Sequence, residues 1–340
     1  MDNWILKAAK NLVKENTSAN ITSPTQVKVR VSHFMITNFD AHLYLGDVRA
    51  KYPKTIGRAA VGVVTDVGEN CYGLEKGQRV YIKPARPCGK CFTCRSGKED
   101  DCTDIQVAGR DFDGFLRDFV VCEYSDVSVL PEGVDDLHAL CIETVAIAEN
   151  IYDKLNLTPG QRVAVVGSDF SGNILAQVLQ YHKVIPIVID NNPVNLEKAR
   201  KCGVFYAFTA DDELERNVLD ATGGDMCDAA IYSASSRLSL SLAPRILAKN
   251  KTMVLSGYSA MNSDIAAADI LEKNITVFGV THAYGYTEAI INMLLHKAVN
   301  IDVFDREILK EYDPIALISE RAANLSTPRG GKLTVLQMIL

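Results

Sequence analysis

Four cysteines fall within fifteen residues: Cys88, Cys91, Cys94 and Cys102. The spacing C-x2-C-x2-C-x7-C lets a tight loop present several thiolates to one ion. Zinc takes four such ligands tetrahedrally, with metal–sulfur distances of about 2.3 Å. With sulfur in all four positions, no coordination site is left for water or substrate. The spacing therefore points to a structural zinc, one ion per chain; iron–sulfur clusters use other spacings. The other five cysteines, Cys71, Cys122, Cys141, Cys202 and Cys227, are scattered and read as small buried hydrophobes. This is not the cysteine pattern of a secreted disulfide framework.

A second pattern lies in the middle of the chain. Val163-Ala164-Val165-Val166-Gly167-Ser168-Asp169-Phe170-Ser171-Gly172 runs from an apolar strand into a helix. Asp190 closes the next strand. A glycine turn, a helix N-terminus for pyrophosphate and an acid for the ribose 2′-hydroxyl make a dinucleotide fingerprint. The acid favours NAD(H) over its 2′-phosphorylated form. Gly167, Ser168, Phe170, Ser171, Gly172 and Asp190 are the candidate cofactor contacts. The middle glycine of the fingerprint is replaced by Asp169, whose carboxylate opposes a diphosphate unless it turns away or finds a cation. A plain α/β turn that no longer binds nucleotide is the competing reading.

These residues must be positioned by a chain of 340 residues, long enough for two domains. It is 47% apolar and 23% charged, with a formal net charge of -6 and no charge blocks. That balance gives no reason to expect nucleic acid or an anionic membrane as partner. No apolar run approaches the ~18–20 residues of a membrane span. Met1-Asp2-Asn3-Trp4 lacks the basic and apolar regions of a signal peptide. A cytoplasmic location is the resulting expectation.

Up to about residue 145 the chain reads as short strands broken by turns: Val27 to Val31, Val61 to Gly68, Gly77 to Ile82 and Phe119 to Val121. After Leu157-Thr158-Pro159-Gly160 the texture changes. Arg162 to Gly167 is a strand, Phe170 to Tyr181 a helix, Val184 to Asp190 a strand and Pro193 to Cys202 a helix. Phe205 to Phe208, Cys227 to Tyr232, Thr252 to Ser256 and Ile275 to Phe278 are four more apolar runs. Alternation at this spacing predicts a doubly wound parallel sheet with right-handed crossovers. Lys332 to Leu336 predicts a last strand that returns to the first domain.

Together these features resemble the medium-chain dehydrogenase/reductase superfamily, in its zinc-containing alcohol, polyol and threonine dehydrogenase branch. The resemblance covers nearly the whole chain. Asp113-Gly114-Phe115 with Phe119-Val120-Val121, Leu130-Pro131-Glu132-Gly133-Val134, Thr158-Pro159-Gly160-Gln161-Arg162-Val163 and Gly330-Gly331-Lys332-Leu333 match family stretches. It implies an α/β protein: a β-rich GroES-like catalytic domain (1–145) with a zinc lobe near 84–105, and a Rossmann domain (146–282). Residues 283–340 then return to the catalytic domain. It also implies NAD(H), a small-molecule substrate and a homodimer or homotetramer, commonly joined at the edges of the Rossmann sheets.

The family's catalytic-zinc pattern is degenerate here. Its ligand cysteine falls on Thr37 and its relay serine on Phe39, with His42 at the distal end of that relay. Its histidine–glutamate pair falls on Arg58 and Ala59. Glu143 alone survives, and one carboxylate does not hold a catalytic zinc, which takes about three protein ligands. The expected activity is hydride transfer between NAD(H) and a small alcohol or carbonyl, without catalytic zinc. Thr37, His42, Arg58 and Glu143 are its candidate catalytic residues. Arg58 has three readings: an electrophile in place of the metal, a binder of an anionic substrate, or an ion-pair partner of Glu143 that fills the pocket. The alternative for the whole chain is a pseudoenzyme that serves as a binding or scaffolding subunit. His138, His182, His282 and His296 show no partner pattern and read as structural or exposed.

Overall fold

The computed structural model describes residues 1–233, 238–256, 264–325 and 332–338. Gly330 and Gly331 of the closing family stretch lie outside them.

The N-terminal sheet has seven strands and is built on Gln26–Ile36. Val27, Val29 and Val31 alternate inward, and then Phe34, Met35 and Ile36 are all buried. Period two marks a half-covered sheet, and the unbroken run marks a strand covered on both faces. Ala60–Val67, Phe119–Glu123 and Leu333–Gln337 all pair antiparallel with this strand. The last of these brings the far end of the described chain into the centre of the first sheet. Arg306–Leu309 lies parallel beside it. A hairpin of Asp2–Ala8 and Asn11–Asn16 packs alongside as a separate small sheet with Lys54–Thr55.

The second sheet has six strands, all parallel. Their spatial order is Tyr206–Thr209, Ile185–Asp190, Arg162–Val166, Cys227–Tyr232, Leu247–Leu255 and Thr276–Gly279. The first strand in sequence thus lies third, where the winding reverses, the switch point at which α/β sheets bind ligands. Its side chains serve two cores. Val163 and Val165 face the apolar cluster shared with the N-terminal sheet, while Ala164 and Val166 face the cluster under Cys227, Ile246 and Met253.

The helix Ile142–Leu155 joins the two halves. Its Val145, Ala148 and Ile151 belong to one continuous cluster that includes Met35, Val61 and Tyr81 from the first sheet and Val163, Ile174 and Leu179 from the second. The cleft between the sheets is therefore floored by one packed core.

Leu247–Leu255 begins five residues earlier than the apolar run Thr252 to Ser256 predicts. Asn250 takes a left-handed φ of 59° within it, and the ladder shifts register beside it. Lys249, Asn250 and Lys251 at this bulge interrupt the apolar signal. Cys122, Cys141 and Cys227 are buried as expected, whereas Cys71 and Cys202 are only half-buried.

Candidate functional site

The four lobe cysteines converge. All four Sγ atoms lie within 4.8 Å of one another, and no other group of three or more such donors occurs among the described residues. Cys88–Cys94 and Cys91–Cys102 are 4.0 Å apart and Cys91–Cys94 3.4 Å. A tetrahedron of sulfurs at about 2.3 Å from zinc has edges of about 3.8 Å, so the cage fits that ion. Backbone amides of Cys88, Cys91, Cys94 and Asp104 point at the sulfurs at 3.2–3.5 Å. Such donors favour thiolate over thiol.

The lobe also grips the cleft. Asp100 accepts from the amides of Tyr284 and Gly285 at 2.6 and 3.1 Å. Asp101 pairs with Lys154 at the end of the helix Ile142–Leu155. Tyr286 donates to Asp153 on that same helix at 2.8 Å.

At the nucleotide turn, Gly167 adopts φ 94° and Gly172 packs against it. A Cβ on Gly172 would lie 1.8 Å from the Gly167 carbonyl oxygen, so this strand–helix approach requires glycine. Asp169 caps the helix Phe170–Tyr181, accepting from Gly172 N at 3.4 Å. Its pKa is raised to about 6, first by burial, with Asp190 adding repulsion and Arg321 opposing. Arg321 is the neighbouring cation, carried by the helix Pro314–Asn324. Its Nε donates to Asn38 Oδ1 at 3.0 Å and its Nη1 to the Lys332 carbonyl at 3.1 Å.

Asp190 is almost fully buried. Its Oδ2 accepts from Ser168 N and Asn195 Nδ2, and its Oδ1 from Asn192 N, at 2.7, 3.1 and 2.8 Å. A carboxylate oxygen accepts two bonds, so one acceptor position on Oδ1 has no donor among the described residues. Phe170 stands edge-on to Phe304, 5.1 Å between centroids.

Arg58 and Glu143 meet at the start of the helix Ile142–Leu155. Arg58 Nε lies 2.7 and 2.8 Å from the two carboxylate oxygens, and Nη2 also contacts Oε1. Both side chains are buried, 4% and 8% exposed, which makes this a desolvated, forked pair. The guanidinium lies 4.4 Å over the Phe39 ring and donates through Nη2 to the Thr281 carbonyl at 3.3 Å. Phe39 thus supplies a π-face to the cation.

Thr37 and Asp40 form a reciprocal cap on the helix Asn38–Leu45. The Thr37 hydroxyl donates to Asp40 Oδ2 at 2.7 Å, which commits its proton to the cap. Asp40 is completely buried, and burial raises its pKa to about 6. Its Oδ1 has no hydrogen-bond partner among the described residues. His42, on the same helix, pairs through Nδ1 with Asp47 at 2.9 Å. Arg58 and Glu143 are therefore brought together, while the polar groups of Thr37 and His42 are each engaged with a carboxylate of their own segment.

Two residues without a sequence pattern enter the site. Arg321 faces Asp40 and Asp169, and His282 adjoins the Arg58 contact through Thr281. Each reaches the cleft only because a distant segment folds back, so no local spacing announces it. A further cavity of about 380 Å³ is lined by Arg49, Lys51 and Arg110 with Asp104 and Asp111.

Residues 23–132 match the family model of the alcohol dehydrogenase GroES-like domain, and residues 171–296 that of zinc-binding dehydrogenase. The starvation-sensing protein RspB of Escherichia coli K12 is 30% identical over 262 residues, covering 75% of this chain and 76% of that one. The chain belongs to the zinc-containing medium-chain dehydrogenase/reductase superfamily. Another relative in this superfamily is a sorbitol dehydrogenase of Halalkalibacterium halodurans, 28% identical over 264 residues, 75% of this chain and 76% of the relative. Among solved structures, the rspB alcohol dehydrogenase of E. coli CFT073 in complex with NADH superposes with a TM-score of 0.85 at 24% identity, over 99% of both chains. The superfamily's two-part architecture, GroES-like and Rossmann, is thus the fold of this chain.

Proposed function

We propose that this chain transfers a hydride between NAD(H) and a polyol-type alcohol or carbonyl without a catalytic metal. The observation that carries the reading is the forked Arg58–Glu143 pair at the family's metal position. There the guanidinium, its charge largely neutralised by Glu143, would take the metal ion's place as a hydrogen-bond donor to the substrate oxygen. Glu143 fixes its plane, and Phe39 and the Thr281 carbonyl fix its position. The bound nicotinamide would supply the hydride. Around it, the helix Phe170–Tyr181 turns its N-terminus towards the cofactor, although its Ser171 and Gly172 amides are held by the Asp169 carboxyl, and Asp190 retains one acceptor position for a ribose hydroxyl. The curated relatives support a polyol-type substrate: one is a sorbitol dehydrogenase and another a probable D-xylulose reductase.

Two other readings have support of their own. The cavity that holds Arg49 and Lys51, with Arg110 paired to Asp111 and with Asp104 beside them, keeps a small excess of positive charge that favours an acidic substrate, such as a sugar acid. A relative named L-galactonate-5-dehydrogenase is consistent with that. Asp169 and the committed hydroxyl of Thr37 favour a binding subunit without turnover.

Calorimetry with NADH separates enzyme from binding subunit. Binding below millimolar concentration, with turnover of sorbitol or galactonate that survives removal of adventitious metal, supports the proposal. No binding at millimolar NADH sinks it.

We infer further that the chain forms a homo-oligomer through the edge strand Thr276–Gly279. Val277 on that strand and Leu271 on the preceding helix are exposed, 39% and 77%.

A further inference from the structure

The loop after the sixth parallel strand carries a histidine that has no task in the reading above. Thr281, its neighbour, accepts from Arg58 through its carbonyl, so His282 begins where the buried pair ends. Its own carbonyl accepts from Asn150 Nδ2 at 2.9 Å. Asn150 follows Glu143 by seven residues, two helical turns, and shares its face of the helix. On the other side, Asp100 holds the amides of Tyr284 and Gly285. The backbone is thus fixed from the catalytic half, from the joining helix and from the cysteine lobe.

The imidazole itself is only half-buried. Nδ1 lies 3.2 Å from the Thr281 hydroxyl. Among the described residues Nε2 has no hydrogen-bond partner. A rigidly mounted ring with one nitrogen oriented by a neighbour and the other available is the usual arrangement of a proton-transfer histidine.

We propose that His282 Nε2 accepts the hydroxyl proton of the alcohol during its oxidation, a role that rests on the hydride-transfer reading. The O–H bond breaks towards Nε2, and the electron pair left on oxygen closes the carbonyl. The carbinol C–H pair leaves as hydride to oxidised nicotinamide. The products are a carbonyl compound, reduced cofactor and an imidazolium that passes its proton to water. In the reducing direction the same ring donates.

The charges around the ring suit this. Arg58 from the N-terminal half, Arg110 beside its partner Asp111 and Lys154 from the joining helix face it, against Asp100 from the lobe. Burial first, then these cations, hold its pKa below the ordinary histidine value, so the ring is neutral and ready to accept at neutral pH.

The test uses the full-length zinc-loaded protein, with sorbitol and galactonate as probes and NAD+ as oxidant. In His282→Gln, kcat should fall by about 10²–10⁴-fold, and the acid limb of the rate profile should vanish. NADH affinity by calorimetry should stay within about twofold. Added imidazole should restore part of the turnover of His282→Ala, which a merely structural histidine would not allow. Independently of any substrate, the His282 ring signal of the NADH complex should titrate by NMR below the ordinary histidine value, and move to higher pH in Arg110→Gln. Unchanged kcat in His282→Gln, or a ring that does not titrate, overturns the proposal. Absence of NADH binding by the unaltered protein would instead overturn the hydride-transfer reading beneath it.

Discussion

The buried pair decides most at the level of single residues. Removing one partner leaves the other charged, desolvated and alone, at a cost of ~3–5 kcal/mol, whereas replacing both by apolar groups is often neutral. Arg58→Met should therefore lower stability by several kcal/mol in urea denaturation, and Arg58→Met/Glu143→Leu should regain most of it. A double variant no more stable than the single one would contradict the account. Asp40 gives a second expectation. Its folded pKa of about 6 exceeds the ordinary 3.8, so the native state holds this proton longer than the unfolded chain. Its contribution to stability is complete below about pH 4 and is lost as pH rises through about 6, a change of roughly 3 kcal/mol. Asp40→Asn should flatten that part of the stability profile relative to the unaltered protein.

The turn and the helix it opens carry the next expectation. Asp169 caps the helix Phe170–Tyr181 and, in the proposed cofactor site, puts a carboxyl where a pyrophosphate would lie. Cofactor binding should favour its protonated form, so NADH affinity should fall as pH rises above about 6. Asp169→Asn keeps a cap and removes the charge. It should bind NADH more tightly at pH 7 and lose that pH dependence in calorimetry.

The same scale shows what a sequence can reveal. The parallel strands were legible because they are continuous apolar runs, and Phe170–Tyr181 because a glycine turn precedes it. Asn38–Leu45 was not, since Phe39, Asp40, Ala41, His42 and Leu43 are all buried and leave no amphipathic period to read. Ile142–Leu155 hides its period in the same way, with Glu143, Glu149 and Asn150 among its buried residues. At the site, the cysteine cage and the Arg58–Glu143 pair could be expected from motif positions. The commitment of the Thr37 hydroxyl to Asp40 and the approach of Arg321 and His282 depend on tertiary folding, and no spacing encodes them.

On the scale of the molecule, the cysteine lobe is a brace as well as a knot. Metal analysis should find one zinc per chain. Its removal by a chelator should loosen residues 88–102, and with them the segment that Asp100 and Asp101 tie down. Faster hydrogen exchange at Tyr284 and Gly285 is the expected sign, and unaltered exchange there would show that the brace stands without its ion. The exposed sheet edge gives a separate test: Val277→Asp should shift sedimentation towards monomer, if Thr276–Gly279 is the contact between copies.

The pairing of Leu333–Gln337 with Gln26–Ile36 has a temporal consequence. The earliest large sheet to leave the ribosome lacks a central neighbour until Leu333–Gln337 has been made. The second sheet, composed of consecutive segments, can assemble meanwhile. Maturation should thus run from the middle outwards, and a nascent chain arrested before Leu333 should remain protease-sensitive in its N-terminal third while the Rossmann part already resists digestion.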